Sequence, residues 1–518
     1  MGAFSARRRQ QGSGQPRGCE FTRARWALLS RKMRSGIAVM RASIDSAPRR
    51  RRNGRGARGP ATPSLAAHVA RRLLASQVFP PSSRGASRAE HAGQPAWFDR
   101  VRWLGTPPKL SQRQWTVLGL VSVASFFDQY DTGLFSLALK QIQAEFRIAE
   151  QSLGLLSSIV TLGALPALLL AAAADRWGRR RLLVVTIVAY TILTGASAFA
   201  PSAAAFVVLQ FLARIFITAE YALAVVVLGE ELDDDARGWG IGALGALAAC
   251  GHGLAYALFS LVDVLPLGWR TLYLVGLAPL LLVAWLRRDM AETPHFERLG
   301  ARPRESRADR RARPRAPVAR QASPYRRRFV AMGALYLLLG LTQHAGFFFA
   351  PKFLQEAHGF SPAQVSLLGF TGGAVAVFAN SLTGRWSDRF GRRPTAIAFL
   401  AALPLTIVSF YNAPAMVLPV LWVAMLFFGL GSGVLLSLFS IELFPTAYRS
   451  TAAGMRAALG TVGAVIGLSV ESALYVLLGS HWAAISALAM LALGAPFVVL
   501  CMFPETSGRA LDEISPDQ

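Results

Sequence analysis

Between Trp115 and Phe503 the chain keeps returning to apolar runs of about 20 residues, each long enough to cross a hydrocarbon core of about 30 Å. Twelve such runs can be drawn, at 115–138, 151–174, 182–200, 205–228, 239–261, 270–287, 329–350, 363–384, 395–411, 415–440, 452–479 and 482–503. Lipid offers a backbone no hydrogen-bond partners, so runs of this length are expected as helices. With 53% hydrophobic and only 16% charged residues, the chain could not cover an ordinary globular surface. The expected class is an all-α integral membrane protein with twelve transmembrane helices.

The net charge of +26 would suit a nucleic-acid binder, but its placement argues otherwise. Residues 1–114 hold 24 Lys+Arg against 4 Asp+Glu, contributing +20. Residues 287–328 hold 14 against 5, contributing +9, so everything else sums to about −3. Basic segments of this kind fit the inner flank of a membrane and its anionic lipid. No nucleic-acid partner is expected. Residues 1–95 are rich in Arg, Ser, Gly, Ala and Pro, a composition that predicts disorder. An Arg-rich, acid-poor stretch also suits an organelle transit peptide; the preferred reading is a start site called too far upstream. The three cysteines, Cys19, Cys250 and Cys501, suggest neither a disulfide framework nor a metal site.

An inside N-terminus puts the loops after spans 2, 4, 6, 8 and 10 inside, where they carry about two dozen Lys+Arg. The opposite loops carry Lys140, Arg147 and Lys352. That asymmetry predicts both termini in the cytoplasm, in a bacterial inner membrane. The expected segments are a basic extension (1–110), a six-helix bundle (111–288), a basic linker (289–328), a second bundle (329–504) and a tail (505–518).

The basic linker divides the spans six and six, and the halves repeat. Loop 2–3 reads DRWGRRR from Asp175, and loop 8–9 reads GRWSDRFGRRP from Gly384; Asp175 and Asp388 are 213 positions apart. Loop 4–5 places Glu230 seven before Arg237, and loop 10–11 places Glu442 seven before Arg449, at an offset of 212. Two motifs at nearly one offset argue for two pseudo-symmetric six-helix bundles.

These residues resemble the G-x-x-x-D-R-x-G-R-R signature of the major facilitator superfamily. The second copy is complete, with Gly384, Asp388, Arg389, Gly391, Arg392 and Arg393. The first has Ala171 in place of glycine but keeps Asp175, Arg176, Gly178, Arg179 and Arg180. The terminal FPETSGRALDEI resembles the tail of sugar-porter-like members. The resemblance covers about residues 110–515 and implies a transporter working by alternating access. It also implies that Asp175, Arg176, Arg179, Glu230, Arg237, Gly384, Asp388, Arg389, Arg392, Glu442 and Arg449 form an inner gate between the halves. Inside-positive topology alone would account for the arginines but not for the repeated Asp and Glu.

Charged residues inside spans are costly and mark function. Asp128 and Asp131 lie about 13 and 16 residues into span 1 and share one helix face. Arg214 and Tyr221 lie in span 4, His252 in span 5, and Gln343 and His344 in span 7, near the same depth. The resemblance implies that spans 1, 4 and 7 line the central cavity, and D-x-x-D at Asp128–Asp131 resembles the pair of the aromatic acid/proton symporters, with Gln129-Tyr130 between the acids. On this reading the acids couple protons and Arg214 receives a substrate carboxylate, with Tyr221, His252, Gln343 and His344 around it. A fixed Asp–Arg214 pair, and histidines merely satisfied between helices, stay open. Glu220 falls some 120° round the helix from Arg214, and either contacts a neighbouring helix or serves a second protonation.

The expected function is proton-coupled uptake of a small organic anion by a monomer. A sugar porter, a drug or cation exporter and a non-transporting sensor are the alternatives. No nucleophile elbow, Walker motif or metal cluster is present, so no enzyme activity and no cofactor are expected.

Overall fold

The computed structural model describes residues 110–288 and 325–508, with Pro108 and Ile514. Most of the basic extension and linker, and the end of the tail, lie outside the described residues. All regular elements among the described residues are helices. Span 1 is α1 (Gln112–Leu137) continued by α2 (Leu139–Phe146), and span 2 is α3 (Leu153–Leu162) and α4 (Ala164–Trp177). Spans 3 to 5 are α5 (Arg179–Ser197), α6 (Ala203–Glu231) and α7 (Asp234–Phe259), and span 6 is α8 (Trp269–Val275) with α9 (Leu277–Arg287). Span 7 is α10 (Arg326–Phe348) with α11 (Ala350–Glu356). Spans 8 to 11 are α12 (Pro362–Phe390), α13 (Arg392–Asn412), α14 (Leu418–Glu442) and α15 (Thr446–Leu478). Span 12 is α16 (His481–Leu491) with α17 (Gly494–Met502). Eleven of these spans are long and apolar enough to cross a membrane. The 26-residue α1 is the twelfth, and its two aspartates dilute its apolar character.

Helix starts are written locally. The Ser111 hydroxyl accepts from Gln114 N–H while the Gln114 side chain accepts from Ser111 N–H, a capping box repeated by Ser361 and Gln364 at α12. The motif glycines turn the chain between spans. Gly178 has φ 92°, ψ 141° and Gly391 has φ 99°, ψ 147°, a region essentially closed to residues with a Cβ.

Packing repeats with the sequence. In span 5 a side chain at Gly251 would strike the carbonyl of Phe126 on span 1; in span 11, 212 residues on, one at Gly463 would strike the carbonyl of Leu337 on span 7. Absent side chains let these helix pairs approach backbone to backbone, as helices in lipid commonly do.

The halves meet unevenly. Among the described residues, hydrogen bonds between them gather at the end away from the repeated loop motifs. Ser136 donates to Phe348 O at 2.6 Å, Gln141 to Gln355 at 2.8 Å, Lys352 to Gln143 at 2.7 Å and Ser469 to Ser158 at 3.0 Å. That end is closed.

Candidate functional site

Arg214 extends from α6 to the wall of a cavity between the halves, lined also by Asp131, Thr132, Gln210, His344 and Phe348. One guanidinium nitrogen donates to the Thr132 hydroxyl at 3.1 Å, while Nε is buried without a partner. No carboxylate among the described residues pairs with it. The aromatic side of the cavity is built by Phe135, whose ring lies 5.3 Å from that of Phe348, and by His344, stacked on Phe348 at 6.2 Å.

His344 also borders a second cavity of about 240 Å³, shared with Leu339, Gln343 and Phe347. Gln343 and Phe347 occupy space kept free by Gly429, the first glycine of the GLGSG run at 429–433. His252 lies against Gly133 on span 1, and both histidines are within electrostatic reach of Arg214. Tyr221 is half-buried on α6, about two turns from Arg214.

Asp128 and Asp131 are buried at 0% and 3% exposure, and no carboxylate oxygen of either completes a hydrogen bond. The hydroxyls of Tyr190 and Thr194, one turn apart on α5, stand beside Asp128 and Asp131 and are also unsatisfied. Asp131 borders the Arg214 cavity, whereas Asp128 lies inside the first bundle. Glu220 is in that bundle too, ion-paired with Arg287 and accepting from Thr186, with both charged side chains at 0% exposure.

At the opposite end each half carries the same ion pair. Arg179, first residue of α5, meets Glu230 near the end of α6 at 2.9 Å; Arg392, first residue of α13, meets Glu442 at the end of α14 at 3.1 Å. Arg392 also meets Asp388 at 2.5 Å. Arg389 lies over the Phe390 ring, Arg449 donates to the carbonyls of Ile441 and Phe444, and Gly384 has open space beside it. Arg237 sits in the first turn of α7. The side chains of Asp175 and Arg176 lie outside the described residues. Both Arg–Glu pairs are internal to one half.

The FPET tail docks on this cluster. Glu505 accepts from the N–H groups of Arg392 and Arg393 at 2.8 and 3.1 Å, capping α13, and Thr506 donates to Glu442 at 2.5 Å. Burial opposes the charge on Glu505, but backbone N–H groups of Ser507, Arg392, Arg393 and Thr506 outweigh it and hold the carboxyl below its ordinary range.

The family profile described as Major Facilitator Superfamily matches residues 121–441 and 328–516. The chain belongs to this superfamily. A putative niacin/nicotinamide transporter of Bacillus subtilis is 26% identical over 371 residues, covering 70% of this chain and 89% of the relative. A probable 4-methylmuconolactone transporter of Cupriavidus pinatubonensis is 28% identical over 409 residues, covering 75% and 90%. The inward-open xylose transporter of Escherichia coli has the same fold, with TM-score 0.61 and 17% identity over 77% of this chain and 99% of that one. The protein is a multi-pass membrane transporter, not an enzyme.

Sequence reasoning missed several charged groups of this major facilitator. Arg456 in span 11 donates to Ser437 of span 10 at 3.2 Å and lies within electrostatic reach of Tyr221; an arginine in the apolar run AAGMRAALG was the available signal. Arg287 ends span 6 and enters the sequence reading only through the charge of residues 287–328, yet it is fully buried. Lys352, which the sequence places in an outside loop, lies in α11 at 0% exposure.

Proposed function

We propose that the protein takes up a small planar organic carboxylate together with a proton. The observation that carries this reading is Arg214, a cation on the cavity wall whose only hydrogen-bond partner among the described residues is a hydroxyl. A charge at this depth is costly unless paired. A substrate carboxylate supplies that pair, and a guanidinium binds it in a planar, bidentate fashion. The rings of Phe135, His344 and Phe348 offer flat apolar walls beside it. Niacin, named for the Bacillus relative, is a small planar acid of suitable kind. Tyr221, His252 and Gln343 complete the polar lining.

In this reading Asp131, on the cavity wall, and Asp128 behind it exchange the coupled proton. An ionised carboxylate there, with no ion pair and no completed hydrogen bond among the described residues, costs several kcal/mol. A proton removes that cost. Glu220 is tied to Arg287 and acts on Asp128 through its charge. The inner gate comprises the repeated loop residues, with 111–288 and 329–504 rocking about the cavity on either side of the linker. Both termini face the cytoplasm across a bacterial inner membrane, and one chain suffices because it holds the whole cavity.

The test is external pH in lightly buffered cells expressing the protein. Nicotinate should cause alkalinisation, while nicotinamide, xylose and quaternary amines should not, and Arg214→Ala should abolish the response. A response to the neutral or cationic solutes that persists in Arg214→Ala would refute the anion reading.

A further inference from the structure

At the closed end, Glu150 of the first half is held by two groups of the second. Lys352 Nζ is 3.2 Å from Glu150 Oε2, and His481 Nε2 is 3.0 Å from the same oxygen. His481 Nδ1 is 2.5 Å from Glu471 Oε1. Carboxylate oxygens only accept, so both contacts are hydrogen bonds only when both ring nitrogens carry hydrogen. The geometry is that of an imidazolium between two carboxylates. Loss of one proton leaves a bare ring nitrogen facing a bare oxygen.

The surroundings keep the arrangement tight. A side chain at Gly154 on α3 would collide with Glu471 and the backbone at Leu468. The His481 ring stacks on Phe349 at 5.0 Å and meets Tyr475 at 4.3 Å. Lys352 also pairs with Glu356, and Tyr411, the remaining titratable group near Glu471, is committed to Gly346 O at 2.5 Å. His481 is 4% exposed, but the Glu150 side chain is 40% exposed. Solvent protons therefore reach the ring past Glu150.

We propose that Glu150, Lys352 and His481 form a proton-operated latch: protonation of His481 ties the halves together at the outer end, and deprotonation releases them. The inference rests on the proposed orientation, which puts this end outside. It gives the carrier a second response to the external proton, separate from the aspartates. Acid outside favours closure of the outer face, and neutral pH favours reopening.

Accessibility in intact cells tests this. In a background with Cys19, Cys250 and Cys501 replaced by serine, Ser158→Cys places a thiol in the closed interface, where Ser158 is 3% exposed. Met416→Cys, at a position 87% exposed in the loop between spans 9 and 10, reports thiol chemistry, protein amount and sidedness. The rate with an impermeant maleimide at 158, divided by that at 416, should rise about tenfold between about pH 5.5 and 7.5, the effect of losing one charge-assisted hydrogen bond. His481→Gln should make the ratio high and flat. Glu150→Gln, which removes the same contact from the other half, should flatten it too. A parent ratio insensitive to pH, or an unchanged slope in either variant, overturns the latch. A thiol at 416 that labels only after permeabilisation puts this end inside and overturns it as well. Neither result depends on which solute is carried, so the latch can fail while the anion reading stands.

Discussion

Glu220 and Arg287 form an ion pair shut off from solvent, each side chain at 0% exposure. Arg287 also donates to the carbonyls of Leu183 and Leu120, so it joins spans 1, 3 and 4 to span 6. Removing one partner strands a buried charge. Glu220→Ala should therefore destabilise the protein by about 3–5 kcal/mol. Replacing both, as Glu220→Leu with Arg287→Met, should recover most of that loss. Thermal unfolding in detergent, followed by size-exclusion fluorescence, reads the difference; equal losses in the single and double variants would contradict it.

Asp131 lines the same cavity as Arg214 with no ion pair to it, and in the proposed cycle it carries the proton nearest the substrate. Asp131→Asn fixes the neutral state. Proton-driven accumulation should disappear, while exchange of labelled for unlabelled substrate in the absence of a gradient should survive at a reduced rate. Asp128→Asn, further from the cavity, should lower accumulation less. Unchanged accumulation in both variants would remove the aspartates from coupling.

Much of the architecture is legible in the sequence because lipid permits few solutions. Twelve apolar runs had to be helices, and all twelve are. The repeat offset of 212 to 213 is visible as sequence and reappears in Gly251 and Gly463 and in the two Arg–Glu pairs. The residues proposed around Arg214 are gathered by depth together with the family resemblance. What sequence could not supply is which way a side chain turns at a given depth. Glu220 and Arg214 share a helix but face different neighbours, and the Glu220 partner lies 67 residues away at a helix end. The Glu150–His481 contact spans 331 residues and joins the short 3-10 turn before α3 to the first residue of α16, which no local pattern connects.

Gly178 and Gly391 hold the same unusual backbone conformation in the two copies of the loop motif. Gly→Ala at either place should cost about 1–3 kcal/mol. At Gly391 a Cβ would also press on Glu505. Gly391→Ala should therefore lower the melting temperature and release the tail, the latter detected as faster proteolysis after residue 503. Tail protection equal to that of the parent would show that the Glu505 cap tolerates the extra methyl.

Glu505 gives the tail its own pH dependence. Its carboxyl is held below the ordinary range in the folded protein, so the ionised form favours the docked tail. That contribution is fully present above the ordinary glutamate value of about 4.3. It fades as pH falls through the lower folded value, when protonation removes the acceptor facing the α13 N-terminus. Tail protection against an acid-active protease should thus persist to somewhat below pH ~4.3 and then collapse. Glu505→Gln should weaken protection at neutral pH and abolish the acid step. A step of unchanged position and size in that variant would assign the transition to another group.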